Sequence, residues 1–237
     1  MVIPLRELPK YRELLKSITI REIKVRYKQS LLGMAWAVLQ PLSMMVIFTI
    51  IFSRFAKIPS DEIPYPIFSY SALLPWSFFS ASLSFAIPSV VNNADLIKKI
   101  YFPREIFPCA SILAAGVDFI IATSIFALMM IFYQIPITWN ILYVIPLMLI
   151  QIVFALSLSL FVAAVNVRYR DVKYALPLIL QIWMYATPII YPVSIVPERL
   201  RTIYMLNPMA SLIDGYRRAF LLGLSPDFHY LGLTAVV

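Results

Sequence analysis

The chain has 237 residues, of which 61% are hydrophobic and only 14% are charged. Soluble domains carry about 25% charged residues, and several stretches here exceed the ~20 apolar residues needed to cross a bilayer. The composition therefore excludes an ordinary soluble domain and predicts an all-α polytopic membrane protein. The net charge of +8 fits cytoplasmic loops and anionic membrane lipids better than a nucleic-acid partner.

Residues 1–30 form a basic, amphipathic arm. Apolar side chains recur at helical spacing on one face, at Tyr11, Leu14, Leu15 and Ile18. The segment from Thr19 to Glu22 fits a capping box, which predicts that a second short helix begins at Thr19. A basic amphipathic helix of this kind lies in the plane of the membrane interface and does not cross it.

The arm ends in a group of basic residues just before the first apolar run. These candidate headgroup ligands are Arg21, Lys24, Arg26 and Lys28. In one interpretation they only anchor the arm on anionic lipid. In the other they hold a lipid-linked pyrophosphate, because cations form strong hydrogen bonds with phosphate oxygens.

Five apolar runs follow within a single transmembrane domain, 1–237. They lie at about 31–52, 67–91, 107–132, 141–165 and 174–196. Residues 229–237 look like the start of a sixth span, but at ~1.5 Å per residue they cannot cross a ~30 Å core. We therefore expect the natural chain to continue past residue 237.

The segment 194–228 is too charged to cross the membrane and too apolar for a free loop. It predicts a re-entrant or interfacial hairpin that is split near Asn207 and Pro208. Of the 20 basic residues, 14 lie in the arm and in the loops 92–106 and 166–173. Because basic loops stay in the cytoplasm, we expect a cytoplasmic N-terminus and a hairpin on the far side.

A short helix is predicted at about 94–101, with Asn93 as its cap, Asp95 in its first turn and Pro103 as its stop. A cytoplasmic helix with an apolar side and neighbouring cations favours docking onto another protein over passive contact with lipid. The candidate docking residues are Leu96, Ile97, Lys98, Lys99, Ile100, Tyr101 and Arg104.

Several kinds of site are missing from the sequence. The chain contains no Gly-x-x-x-x-Gly-Lys-Ser/Thr loop, so it cannot hold ATP by itself. Its only Cys and His are Cys109 and His229, which excludes an internal disulfide and a Cys/His metal cluster. We predict no catalytic residue, no metal and no directly bound cofactor.

Asp118 is the only charged residue between Ile106 and Val167. An intramembrane carboxylate is a candidate for function, although a hydrogen-bonded structural role inside a helix bundle is the more common case. One such residue is weak support for an ion-coupled carrier. It is also weak support for a membrane-embedded glycosyl or acyl transferase, which needs a buried acid or base in a cleft.

Aromatic residues make up 14% of the chain. Most fit membrane-interface belts and packing, but some have a second interpretation, in which their faces stack on the sugars of a sliding glycan. The candidate channel-lining residues are Trp36, Tyr70, Trp76, Phe78, Phe79, Tyr174, Trp183 and Tyr185.

Five motifs together carry a resemblance over essentially the whole chain. They are YKQSLLGMAWAVLQPL (27–42), IKKIYFPREIFP (97–108), NVRYRDV (166–172), TPIIYP (187–192) and LNPM (206–209). The chain resembles the ABC type-2 permeases that export polysaccharides and polyol phosphates, including the O-antigen and teichoic acid exporters.

The resemblance implies six spans per subunit, a homodimer in the inner membrane, and two copies of a separate ATPase subunit that binds ATP and Mg. It implies that the helix within 92–106 is a coupling helix seated on that ATPase. It also implies that 194–228 forms periplasmic gate helices, with Pro197, Arg201, Asn207 and Pro208 as candidate gate residues. The arm is similar to the interface helix of the family, near the lateral entrance for a lipid-linked glycan.

The function expected from these features is a non-enzymatic permease subunit that exports an undecaprenyl-diphosphate-linked polysaccharide such as O-antigen. The alternatives within the same superfamily are a teichoic acid or capsular polysaccharide exporter and a drug or small-lipid exporter.

Overall fold

The chain is built from α-helices, as its long apolar runs predict. A computed structural model describes residues 10–28 and 31–236, and these ranges contain no β-strand. The helices are α1 (Arg12–Tyr27), α2 (Trp36–Phe48), α3 (Tyr65–Asn92), α4 (Ala94–Lys99), α5 (Ile106–Phe132), α6 (Val144–Arg168), α7 (Val172–Tyr185), α8 (Glu198–Met205), α9 (Pro208–Arg217) and α10 (Phe228–Val236). Shorter 3₁₀ and π segments extend several of them.

Within residues 10–28 and 31–236, four helical segments are long and apolar enough to cross a membrane. They are Gly33–Phe55, Tyr65–Asn92, Ile106–Phe132 and Trp139–Arg168. The shortest has 23 residues, which at ~1.5 Å per residue exceeds a ~30 Å hydrocarbon core. These segments match the first four predicted spans to within a few residues.

Helix α3 is the centre of the bundle. It contacts α2, α5, α6, α7 and α9. In its most apolar 18-residue stretch 56% of the residues are buried, compared with 11% in the segment that contains α2. Two amides from α6 donate to α3 carbonyls, Gln151 to Pro75 at 2.7 Å and Asn166 to Ile87 at 3.3 Å. Buried polar side chains are stable only when they are hydrogen-bonded, so these bonds fix the position of α6 on α3.

The predicted fifth span is not a continuous helix. Helix α7 has 14 residues, or about 21 Å, which is too short to cross alone. The helix ends at Tyr185, and a turn that contains Pro188 follows. Pro188 disfavours continuation of the helix, because proline lacks the N–H that would bond to the carbonyl four residues earlier. The nine residues of α10 likewise do not cross, so the fifth and sixth spans stay predictions.

The described part of the arm is a single helix, α1. Thr19 does not begin a second helix: its hydroxyl donates to the Leu15 carbonyl one turn back, at 2.8 Å, which is a bond made inside a helix. The apolar face of α1, including Ile18, packs on Phe102, Ile106 and neighbouring residues at the start of α5. Residues 1–9 and 29–30 of the predicted arm lie outside the described residues.

Candidate functional site

A cavity of about 530 Å³ lies where the end of α1 meets α2, α3 and α5. Gly33, at the start of the first candidate span, has a positive φ of 52°, a conformation that favours glycine. Pro41, inside α2, also lines the cavity. Part of the motif 27–42 therefore builds one wall of a cleft.

An ion pair closes one side of the cavity. The Arg26 guanidinium donates from Nη1 to Asp118 Oδ2 at 2.9 Å and from Nη2 to the Ser111 carbonyl at 3.3 Å. It also lies over the Phe85 ring, 3.8 Å from the ring centroid. The side chains of Arg26 and Asp118 are only 9% and 20% exposed, so each compensates the other's charge in a poorly solvated place.

Tyr27 is the third member of this cluster, and its hydroxyl donates to Asp118 Oδ1 at 2.5 Å. Burial and the bond to the Asp118 carboxylate raise the pKa of Tyr27 above its ordinary value, so Tyr27 remains a hydrogen-bond donor. Asp118, which had no evident partner in the sequence, therefore has two.

The four candidate headgroup ligands do not behave alike. Arg26 is paired with Asp118 in this conformation, and its role as a headgroup ligand stays a prediction. Arg21 donates to Asn93 Oδ1 at 2.6 Å and lies near Glu22. Within the part of the chain that the structure describes, the ammonium groups of Lys24 and Lys28 make no ion pair, and both residues are exposed.

Seven of the eight candidate channel aromatics divide into three groups. Trp36, half exposed, and Phe78 line the cavity, whereas Tyr174 and Tyr185 are exposed on α7. Tyr70, Trp76 and Phe79 are buried in the core, at 0%, 5% and 0% exposure. These three rings pack inside one subunit in this conformation, and their role in lining a channel stays a prediction.

Trp183 has a different position from the other candidates. Its ring packs against Phe79 at a centroid distance of 5.2 Å, and its indole N–H donates to Asn207 Oδ1 at 2.8 Å. Trp183 is therefore held in place by ring packing and by one hydrogen bond to the hairpin.

The docking candidates face two ways. Helix α4 is shorter than predicted and ends at Lys99. Lys98, Lys99, Ile100, Tyr101 and Arg104 are exposed. Leu96 and Ile97 instead form the internal side of α4, where they pack with the apolar face of α1 and the start of α5. Their role in docking stays a prediction.

The hairpin consists of α8 and α9, which meet at Asn207. The Asn207 carboxamide oxygen caps α9 by accepting from the Met209 N–H at 3.1 Å. Its nitrogen donates to the Ala186 carbonyl and to Thr187 Oγ1, each at 3.1 Å. Asn207 thus ties the LNPM motif to the end of α7. Of the other gate candidates, Pro197 precedes α8 and Pro208 is the first residue of α9.

Arg201, the remaining gate candidate, is half-buried and donates weakly to the Val196 carbonyl at 3.5 Å. Arg217, at the end of α9, was not singled out by the sequence. It is 3% exposed, lies over the Phe68 ring at 3.7 Å and donates to the Pro188 carbonyl at 2.9 Å. Nothing in the sequence distinguishes Arg217 from the neighbouring Arg218 as the buried one, because the partners of Arg217 are backbone carbonyls.

Residues 13–221 match the family described as ABC-2 type transporter. The match includes all four candidate spans, the α4 helix and the α8–α9 hairpin. The chain belongs to the ABC-2 transporter family. The predicted resemblance to ABC type-2 permeases is thereby confirmed, and the all-helical fold with several candidate spans is that of a multi-pass membrane protein.

Curated relatives of this ABC-2 chain are named for transport of polysaccharides. The O-antigen export system permease protein RfbA of Myxococcus xanthus is 33% identical over 241 residues, covering 100% of this chain and 91% of that protein. A Klebsiella pneumoniae protein of the same name is 31% identical, with 93% and 85% covered. The polysialic acid transport protein KpsM of Escherichia coli is 22% identical, with 94% and 88% covered.

Proposed function

We propose that this ABC-2 chain is the permease subunit of an inner-membrane exporter for an O-antigen polysaccharide carried on undecaprenyl diphosphate. The observation that carries the proposal is the full-length similarity to O-antigen permeases, 33% and 31% identical. A strain lacking the chain should lose surface O-antigen and accumulate lipid-linked O-antigen inside. Surface O-antigen that persists at the normal level without the chain would contradict the proposal.

A capsular polysaccharide is the second candidate substrate, supported by the similarity to KpsM at 22% identity. The two are separated by complementation. The chain should restore surface glycan in a strain that lacks its O-antigen permease but not in one that lacks KpsM, when the matching ATPase is supplied in both.

The energy for export comes from a separate subunit in this proposal. The sequence contains no phosphate-binding loop, and a protein without one does not hold ATP phosphates in that way. Two ATPase copies, which bind ATP and Mg, are proposed to act on a homodimer of this chain. In the most apolar stretch of the segment that contains α2, only 11% of the residues are buried. This exposure supports the proposal that the segment contacts lipid or a second copy of the chain.

We infer that the exposed side of α4 docks on the ATPase. Its internal side, Leu96 and Ile97, belongs to one apolar cluster with α1 and the start of α5, and Arg21 links α1 to Asn93 beside α4. A displacement of α4 would therefore be transmitted through packed side chains to both α1 and α5.

Charge reversal tests the docking. The double variant Lys98→Glu/Lys99→Glu should lose co-purification of the ATPase and export, because like charges across an interface are strongly unfavourable. The matched control is Arg54→Glu/Lys57→Glu, which makes the same charge change at exposed positions on the opposite predicted side. If the first variant keeps the ATPase and exports normally, α4 is not the docking element.

Lys24 and Lys28, with the exposed part of Arg21, are the remaining proposed contacts of the pyrophosphate. Their neutralisation to Gln should lower export while the ATPase stays bound. Neutralising the exposed Lys16 on the same helix is the control. Unchanged export in the triple variant would show that the arm does not bind the headgroup.

The α8–α9 hairpin is proposed to gate the periplasmic side.

A further inference from the structure

The cavity beneath the arm contains polar groups that nothing in the described chain satisfies. Gln40 on α2 and Ser84 on α3 are exposed, Ser77 on α3 is half-buried, and all three line the cavity. Within the described residues, their side chains make no hydrogen bond, unlike Ser80, which donates to the Ser77 carbonyl. These residues sit on candidate spans, where an unpaired polar group facing hydrocarbon is costly.

The aromatic lining of the cavity is accessible as well. Trp36 is 52% exposed and Phe85 is 43% exposed, while one face of Phe85 is covered by Arg26. A sugar ring is apolar on its C–H face and carries hydroxyls at its edge. Its C–H face could stack on the indole of Trp36, and its hydroxyls could bond to the free hydroxyl and amide groups that also line the cavity. The volume of about 530 Å³ lies within the ~300–1,000 Å³ of small-molecule sites.

The charges that face the cavity favour a neutral ligand. Arg26 and Asp118 are its only charged lining residues among those described, and they form an ion pair with each other. Asp118 accepts two bonds, whereas a carboxylate offers about four lone-pair sites. The unused lone pairs of Asp118 can accept hydrogen bonds from a hydroxyl donor, whereas its negative charge repels an anion.

We propose that this cavity binds one neutral sugar ring of the transported glycan, and that the pyrophosphate binds outside it. The ring lies against Trp36, and its hydroxyls bond to Gln40, Ser77, Ser84 and the free lone pairs of Asp118. This inference rests on the proposed function, because it names the part of the exported substrate that the cavity takes.

Cysteine protection tests the proposal directly. Cys109 is the only cysteine, so Cys109→Ala gives a background in which Ser84→Cys is the sole thiol. In the full chain with its ATPase in nanodiscs, a water-soluble methanethiosulfonate reagent should modify this thiol. A phosphate-free oligosaccharide from the O-antigen of the source strain should slow the reaction about tenfold when it is present at about ten times its dissociation constant. Inorganic pyrophosphate should not slow it.

The matched control is Ile120→Cys in the same background. Ile120 is 70% exposed on α5, two residues from Asp118, and does not line the cavity, so it should react slowly and show no protection. If Ser84→Cys reacts as slowly as this control, the cavity is not a wet site and the proposal fails. Protection by pyrophosphate, or by neither probe, overturns it as well.

Export measurements separate this proposal from the proposed function. The variant Gln40→Leu/Ser84→Ala should reduce surface O-antigen at least severalfold, with the ATPase still co-purifying. If deletion of the whole chain leaves surface O-antigen intact, the proposed function fails. If deletion removes O-antigen but the cavity variant exports normally, only the cavity inference fails.

Discussion

Two regions of this protein place a guanidinium over a phenylalanine ring, with different results. Arg26 lies 3.8 Å from the centroid of Phe85, and Arg217 lies 3.7 Å from that of Phe68. Arg26 has a carboxylate partner, Asp118, and lines a cavity. Arg217 is 3% exposed and bonds to the carbonyls of Pro188 and Ile189.

The difference separates a site from a structural clamp. The Arg26 pair leaves carboxylate lone pairs facing an open space, so it can take part in binding. Arg217 holds the turn after α7 through backbone carbonyls and does not line the cavity beneath the arm. Two of its nitrogens, Nε and Nη1, have no hydrogen-bond partner among the described residues. Burial of its charge therefore costs free energy that no direct ion pair among the described residues offsets.

The largest expected effect follows from removing one member of the Arg26 pair. Asp118→Leu should lower the free energy of unfolding by about 3–5 kcal/mol, because it leaves a buried guanidinium that cannot lose its proton. Denaturant titration in detergent micelles measures the change. The double variant Arg26→Met/Asp118→Leu should recover most of the loss, because no charge is then uncompensated.

The exposed pair Arg12–Glu13, at 83% and 81% exposure, is the control for this cycle. Glu13→Leu should change the free energy of unfolding by less than about 1 kcal/mol. If Asp118→Leu costs no more than this control, the Arg26 pair is not a buried, mutually dependent pair, and the comparison with Arg217 breaks down.

An intermediate effect is expected at Asn207, on the clamp side of the comparison. Asn207→Ala should cost about 2 kcal/mol, because it removes the cap of α9 and leaves the Trp183 N–H without its acceptor. Asn92→Ala, at an exposed position at the end of α3, should have little effect. Equal thermal unfolding midpoints for the two variants would show that Asn207 does not hold the hairpin to α7.

The smallest effect is expected at Arg217 itself. Arg217→Met keeps most of the chain length and removes a charge that lacks a carboxylate partner, so it should cost only about 1–2 kcal/mol, chiefly through the lost bond to Pro188. The measurement is the same denaturant titration. A loss as large as that of Asp118→Leu would show that Arg217 has a stronger electrostatic partner than these carbonyls provide.

Much of the helical architecture was predictable because long apolar runs have few alternatives in a bilayer. The fifth span remains a prediction, because apolar composition does not reveal where a helix ends, and α7 stops at Tyr185 after 14 residues, ahead of a turn that contains Pro188. Thr19 was misread because its hydroxyl bonds backward to Leu15, an option that the capping pattern does not exclude.

The candidate site was only partly predictable. The motif 27–42 marked the right stretch, since Tyr27, Trp36 and Pro41 all line the cavity. The pairing of Arg26 with Asp118 joins residues 92 positions apart, and helix periodicity carries no information about such contacts. The only available signal was a lone intramembrane carboxylate, which needs a partner, and a set of cations near the same predicted membrane face.

Reconstituted transport tests the central claim most directly. The chain and its ATPase are placed in proteoliposomes with fluorescently labelled undecaprenyl-diphosphate O-antigen in the leaflet that the ATPase faces. The label should become accessible in the opposite leaflet only when both subunits and hydrolysable ATP are present. Transfer that proceeds equally without the ATPase, or no transfer while ATP is hydrolysed by the complete complex, would contradict the account.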